Sequence, residues 1–249
     1  MKPVGLLARL LTSVATAAFL AIPARAADAP TPAPTITLEQ AVDALKQSPA
    51  AVDFLLKHPQ AVIDALVTER APELIAEHHQ ELLENPDDLV AGNPQGDVAI
   101  VEFFDYRCPY CKEVEPVLDA LLREDKKLRI VYKEFPVLGD ASVFATRVAL
   151  ASRAQGKYAE FHRAMMTAKG SIDYGSVLKI AASVGLDAAR IKADMGAAEI
   201  DRIIAANEDL AETLYIQGTP GIIIGDIMVP GAADIDTLRK DIAAARKGS

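Results

Sequence analysis

Cys108 and Cys111 are the only cysteines in 249 residues, and they stand between a strand-like run and a helix-like run. Val98-Ala99-Ile100-Val101-Glu102-Phe103-Phe104 before them is apolar and rich in β-branched and aromatic residues. Glu113 to Arg123 after them has helical periodicity. A C-x-x-C pair in that setting can close into a disulfide and reopen, as a dithiol redox site does. Two buried structural cysteines or half of a zinc site are the plainer alternatives. Zinc normally takes four ligands, and there is no second cysteine pair. His58, His78, His79 and His162 have no spacing that completes such a site. A purely structural bridge across two residues cross-links too little chain to stabilise much.

The compartment is read from the first 26 residues. Lys2 and Arg9 give a positive start, Leu10 to Ile22 is apolar or small, and Ala24-Arg25-Ala26 fits a small-x-small cleavage site. The apolar run is shorter than the roughly 20 residues that span a bilayer. The expectation is a signal peptide (1–26) cleaved after Ala26 and export to a periplasm. An oxidising compartment of that kind lets a cysteine pair cycle. Losing Lys2, Arg9 and Arg25 moves the formal charge from −9 to −12. That acidic balance argues against nucleic acid or an anionic membrane as partner.

After a proline-rich tether (27–34), residues 35–85 read as short helices. Apolar residues recur at helical spacing, Pro49 and Pro59 sit at helix starts, and Pro49, Pro59 and Pro72 interrupt any long coiled coil. So short a segment must bury its apolar faces on the rest of the chain or on copies of itself. Residues 86–249 read as the redox domain, with a linker around Pro86, Gly92, Pro94 and Gly96 and a short strand near 88–91. Val98–Phe104, a helix, and Leu128–Phe135 make a βαβ unit. A helical block follows at about 139–214. A hairpin then turns at Gly225-Asp226, and a helix at 234–246 closes the chain. The fold class is α/β.

Cys108 is the expected attacking sulfur. It opens a helix, where free N–H groups and the helix dipole favour a thiolate, and Pro109 suits the first helical position. Cys111, one turn in, is the expected resolving thiol. Tyr110 either contacts substrate or is an exposed ring without a role. Glu102 interrupts an apolar strand. It is either a buried proton acceptor beneath the cysteines or an outward-facing residue, with Lys133 on the next strand as a candidate partner. Thr219-Pro220, after Gly218, either terminates the helical block or forms part of the site. Two thiolates also suit Cu(I).

Three stretches carry a family resemblance: EFFDYRCPYC at 102–111, VYKEFPVLG at 131–139 and GTPGIIIG at 218–225. With them the chain resembles the DsbA-like branch of the thioredoxin superfamily over about residues 88–247. The resemblance implies a thioredoxin-like fold with an inserted helical block and an N-terminal helical extension. It implies Cys108 as nucleophile, Cys111 as resolving thiol, Glu102 as buried acid, and Gly218-Thr219-Pro220 as a cis-proline loop beside substrate. No cofactor is expected beyond the redox-active Cys108–Cys111 pair. The Pro109-Tyr110 spacer, Thr219 and the helical N-terminus are similar to the suppressor-of-copper-sensitivity C proteins and their Com1-like relatives. That similarity implies an isomerase or reductase and a homo-oligomer, a trimer in that group. The implied partners are cysteine-containing exported proteins and a membrane thiol-disulfide partner. A disulfide-introducing oxidase is the alternative within the class. A copper-binding or chaperone-like protein is the alternative outside it.

Overall fold

The computed structural model describes residue 43 and residues 45–248, so the expected signal peptide, the tether and the start of the N-terminal helices lie outside the described residues. The chain divides into two compact units, residues 1–53 and 54–249. In the first, helix α1 (Pro49–Lys57) begins at its proline and continues into the second. No residue of α1 is buried, and Val52, Phe54 and Leu56 are largely exposed.

The second unit is built on a five-stranded sheet in the order β1-β3-β2-β4-β5. The strands are β1 (Leu89–Gly92), β2 (Val98–Phe104), β3 (Leu128–Glu134), β4 (Gly221–Ile224) and β5 (Ile227–Pro230). Only the β2–β3 pair is parallel. Its crossover is helix α4 (Pro109–Glu124), which begins directly after Cys108. The β4–β5 loop is two residues, Gly225-Asp226, and Gly225 supplies the positive φ of 60° that such a loop needs at its first position.

Both faces of the sheet are covered, as the near-continuous apolar reading of β2 and β3 requires. Alternation along each strand assigns the side chains. Ile100, Phe104, Ile130, Ile222 and Ile224 pack with Leu118 of α4 and Leu238 and Ile242 of α10 (Ile235–Gly248). The same core reaches into the helical block: α5 (Asp140–Ser152), α6 (Tyr158–Thr167), α7 (Tyr174–Ser183), α8 (Ala188–Asp194) and α9 (Ala198–Thr213). Val101, Phe103, Val131 and Ile223 point the other way, onto Leu210 and Leu214 and onto Ala71, Leu74, Ile75 and Leu82. These last four lie on α2 (Pro59–Glu77) and α3 (His79–Leu83). Each large side chain fully buried there contributes about 1.5–3 kcal/mol.

The expected α/β thioredoxin-like architecture, with its inserted helices and helical extension, is the one found. Of the two outlets open to the N-terminal helices, residues 71–83 take the rest of the chain. With Leu210 and Leu214 they cover the second face of the sheet, over Val101, Phe103, Val131 and Ile223. Pro72 lies inside α2, which runs through it.

Candidate dithiol site

The chain leaves β2 at Phe104 and must turn sharply before α4. Asp105 makes the turn: its buried carboxylate accepts from the N–H of Arg107 (2.7 Å), the N–H of Leu138 (3.0 Å) and the hydroxyl of Ser142 (2.8 Å). Its carbonyl accepts from the Cys108 N–H (3.0 Å). An Asp bonding the N–H two residues on is an Asx turn. Asp105 thereby fixes Cys108 at the N-cap of α4, with Pro109 at the first helical position.

Both cysteines are free thiols. Cys108 is 4% exposed and Cys111 is not exposed at all. The Cys108 thiol donates to the Thr219 carbonyl at 3.2 Å, and the Thr219–Pro220 bond is cis. That hydrogen bond exists only while Cys108 carries its proton. Pro220 is buried and Thr219 half-buried, while Gly218, Pro109 and Tyr110 are exposed. A cavity of about 390 Å³ runs beside the loop, lined by Thr219, Ile216, Met228, Val229 and Val67 of α2 among others. The cysteine pair and Thr219-Pro220 thus come together from distant parts of the chain, and Tyr110 offers its ring to solvent beside them.

Glu102 is completely buried, and neither carboxylate oxygen has a hydrogen-bond partner. Burial, with the charges of Glu115 and Cys108, pushes its carboxyl well above the usual range. Cys111 is pushed far up as well, first by burial and then by Glu102. The outward-facing alternative for Glu102 does not hold. Lys133 is not its partner either. In the parallel register Glu102 stands opposite Tyr132 and Phe103 opposite Lys133, so Lys133 points to the other face of the sheet. There its ammonium meets Asp88 and the Glu81 carbonyl, fully buried.

Several site residues were not singled out from the sequence. Lys112 donates to the Met165 and Ala168 carbonyls (2.8 and 2.9 Å), tying the start of α4 to the end of α6, and burial lowers its ammonium. Glu115 is buried four residues after Cys111, on the same helix face as Leu118. That i, i+4 spacing was the available signal. His162 gave no signal, since only the tertiary fold carries it beneath the sheet. Among the described residues no group of three or more His, Cys, Asp or Glu is placed to hold a metal. Two sulfurs remain the whole donor set for Cu(I).

Residues 99–243 match the family model described as a DSBA-like thioredoxin domain. A thioredoxin-like oxidoreductase from Silicibacter pomeroyi is 43% identical, with a TM-score of 0.67 over 68% of this chain and 98% of that one. The catalytic domain of Proteus mirabilis ScsC is 25% identical, with a TM-score of 0.64 over 71% and 98%. The Na(+)/H(+) antiporter NhaA 1 of Salinispora arenicola is 28% identical over 169 residues. This chain spans only about a quarter of that relative: the match covers 66% of this chain and 26% of the antiporter.

Proposed function

We infer that this chain, which belongs to the DSBA-like thioredoxin domain family, is a thiol-disulfide oxidoreductase acting on cysteine-containing exported proteins. One observation carries the reading: Cys108, at the N-cap of α4, bonds the carbonyl of Thr219 while Cys111 is sealed behind it. The first sulfur can be reached beside the Thr219-Pro220 loop; the second can be reached only by the first.

The exchange runs in two displacements. Cys108, as thiolate, attacks one sulfur of a substrate disulfide; a mixed disulfide forms, and the other substrate sulfur leaves with the electron pair. Cys111 then attacks the Cys108 sulfur. The Cys108–Cys111 bond forms, the substrate sulfur leaves as thiolate, and the Cys111 proton passes to Glu102. Two electrons move from the dithiol to the substrate, and the reverse sequence introduces a disulfide. The helix N-terminus offers unpaired N–H groups to the charged sulfur. Glu102 suits the acceptor role because burial, with the charges of Glu115 and Cys108, makes its carboxylate hold a proton more tightly than an ordinary one.

The direction we propose is isomerisation or reduction, in the periplasm, by a homo-oligomer. Support comes from likeness to the ScsC catalytic domain and from Val52, Phe54, Leu56 and Leu66, which expose apolar side chains on α1 and α2. Such side chains gain most by meeting copies of themselves. The test is refolding of scrambled ribonuclease alongside insulin reduction. Activity in both, lost in Cys108→Ser and arrested as mixed disulfides in Cys111→Ser, supports the reading. A protein inactive in both assays is not an oxidoreductase, and one that only introduces disulfides into reduced ribonuclease is an oxidase.

A further inference from the structure

Next to Glu102 lies a second group of buried polar side chains that the exchange steps above leave unused. His162 of α6 is 3% exposed and packs against Phe104, Tyr106 and Tyr132. Its Nδ1 is 3.2 Å from the Tyr106 hydroxyl, which donates to Glu134 Oε1 at 2.9 Å. Glu134 also accepts from Tyr158 (3.0 Å) and Thr146 (2.6 Å). A tyrosine hydroxyl has one proton to give. With that proton on Glu134, the Tyr106 oxygen accepts from His162, which places a proton on Nδ1. The other ring nitrogen, Nε2, is buried without a hydrogen-bond partner and faces Glu115 Oε2 at 3.9 Å. Glu115 accepts from Tyr132 at 3.4 Å, and its charge is felt by Glu102.

We propose that His162 is a positioning residue of the exchange site: it shares a proton with Glu115 and thereby sets whether Glu102 can accept the proton of Cys111. This rests on the dithiol-exchange reading. With Nδ1 committed to Tyr106, only Nε2 can gain or lose a proton. When it is protonated, Glu115 is paired with a cation, and the negative charge facing Glu102 is offset. Without the imidazole, the charge of Glu115 faces Glu102 with nothing to offset it, so Glu102 stays protonated to higher pH. The groups facing this centre are Glu102 from β2, Tyr106 from the following turn, Cys111 and Glu115 from α4, Tyr132 and Glu134 from β3, Thr146 from α5 and Tyr158 from α6. At its margins Asp105 and Asp119 add negative charge, Arg153 acts on Tyr158, and the Lys112 ammonium is held by carbonyls of α6. Among the described residues no lysine or arginine hydrogen-bonds or pairs with the carboxyl groups of Glu102, Glu115 or Glu134.

The experiment follows resolution of the mixed disulfide with a peptide substrate, in single turnover from pH 5 to 9, for wild type, His162→Gln and Tyr106→Phe. Thermal melts and the alkylation rate of Cys108 are recorded for each. Glutamine can reach Glu115 but cannot titrate. His162→Gln is expected to move the midpoint of the rate profile upward by about one pH unit, which is about tenfold slower resolution near pH 7. Alkylation of Cys108 should be unchanged. A profile that keeps its midpoint, whether or not the rate is uniformly scaled, overturns the proposal. If His162→Gln does not fold, Tyr106→Phe carries the test: loss of the hydroxyl frees Nδ1, the midpoint is again expected to move, and an unmoved one overturns the proposal. A wild type that exchanges nothing removes the functional reading and this role with it. An active wild type whose midpoint these variants leave in place removes only the role of His162.

Discussion

Replacing Glu102 by glutamine separates a buried acid from a buried polar residue of the same shape. Glu102 makes no hydrogen bond, so the substitution breaks none. The unfolded chain releases the glutamate proton near the ordinary value of about 4.3, whereas the folded chain holds it to much higher pH. Below the unfolded value both states are protonated and the group costs nothing. Above it, folded wild type loses about 1.36 kcal/mol of stability per pH unit relative to the unfolded chain until the folded carboxyl itself ionises. Glutamine has no such dependence. The stability difference between Glu102→Gln and wild type should therefore grow in favour of glutamine as the pH rises above the unfolded value, until the folded carboxyl ionises, on top of a pH-independent offset. For a chain of this size each kcal/mol of that difference is about 2–4 °C in Tm. Urea titrations of both proteins as dithiols at pH 4, 5, 6 and 7 measure the slope. A difference that stays flat across that range would show that Glu102 ionises normally in the folded chain. The proton-acceptor role fails separately if Glu102→Gln leaves the rate and pH profile of exchange unchanged.

Iodoacetamide should modify Cys108 at least about tenfold faster than Cys111, whose thiol is sealed and pushed far up; equal rates by mass spectrometry would contradict the assignment. Asp88→Asn strands the buried Lys133 ammonium and should cost about 3–5 kcal/mol in urea unfolding, most of it recovered in Asp88→Asn with Lys133→Met. Leu82→Ala, at 1% exposure between α3 and the sheet, should cost about 2–5 kcal/mol, whereas Phe54→Ser should change stability by less than about 0.5 kcal/mol. Light scattering should show Phe54→Ser and Leu66→Ser lowering the solution mass if α1 and α2 carry the assembly. A wild-type monomer at micromolar concentration would remove the assembly argument and favour the oxidase.

The order of elements was legible because its signals are local. Val98–Phe104 is one run of strand-forming residues, Pro109 marks a helix start, and Gly225-Asp226 marks a hairpin. Cys108 and Cys111 were legible because no other cysteine competes with them. What depended on register or tertiary approach was not legible. Lys133 looked like a partner for Glu102, yet one residue of parity between Tyr132 and Lys133 sends it to the opposite face. Where the N-terminal helices dock was left open for a related reason. Nothing in Leu74, Ile75 or Leu82 says whether they cover Val101 and Phe103 or another copy of the chain. Asp105 and Glu115 carried readable cues of spacing. His162 carried none, because 51 residues separate it from Cys111.

The same parity divides the labour of the sheet. Glu102 and Lys133 are both buried charges on neighbouring strands, but they lie on opposite sides of one layer of backbone. One faces the thiols; the other clasps Asp88 and the end of α3. The carboxyl chemistry thus lies on one side of the sheet and the buried Lys133–Asp88 pair on the other. The backbone layer is a partition but not an insulator, because the Asp88 charge still reaches the Tyr158 hydroxyl that bonds Glu134. A change to the mounting side that keeps Asp88 in place leaves that field over the reactive side as it is.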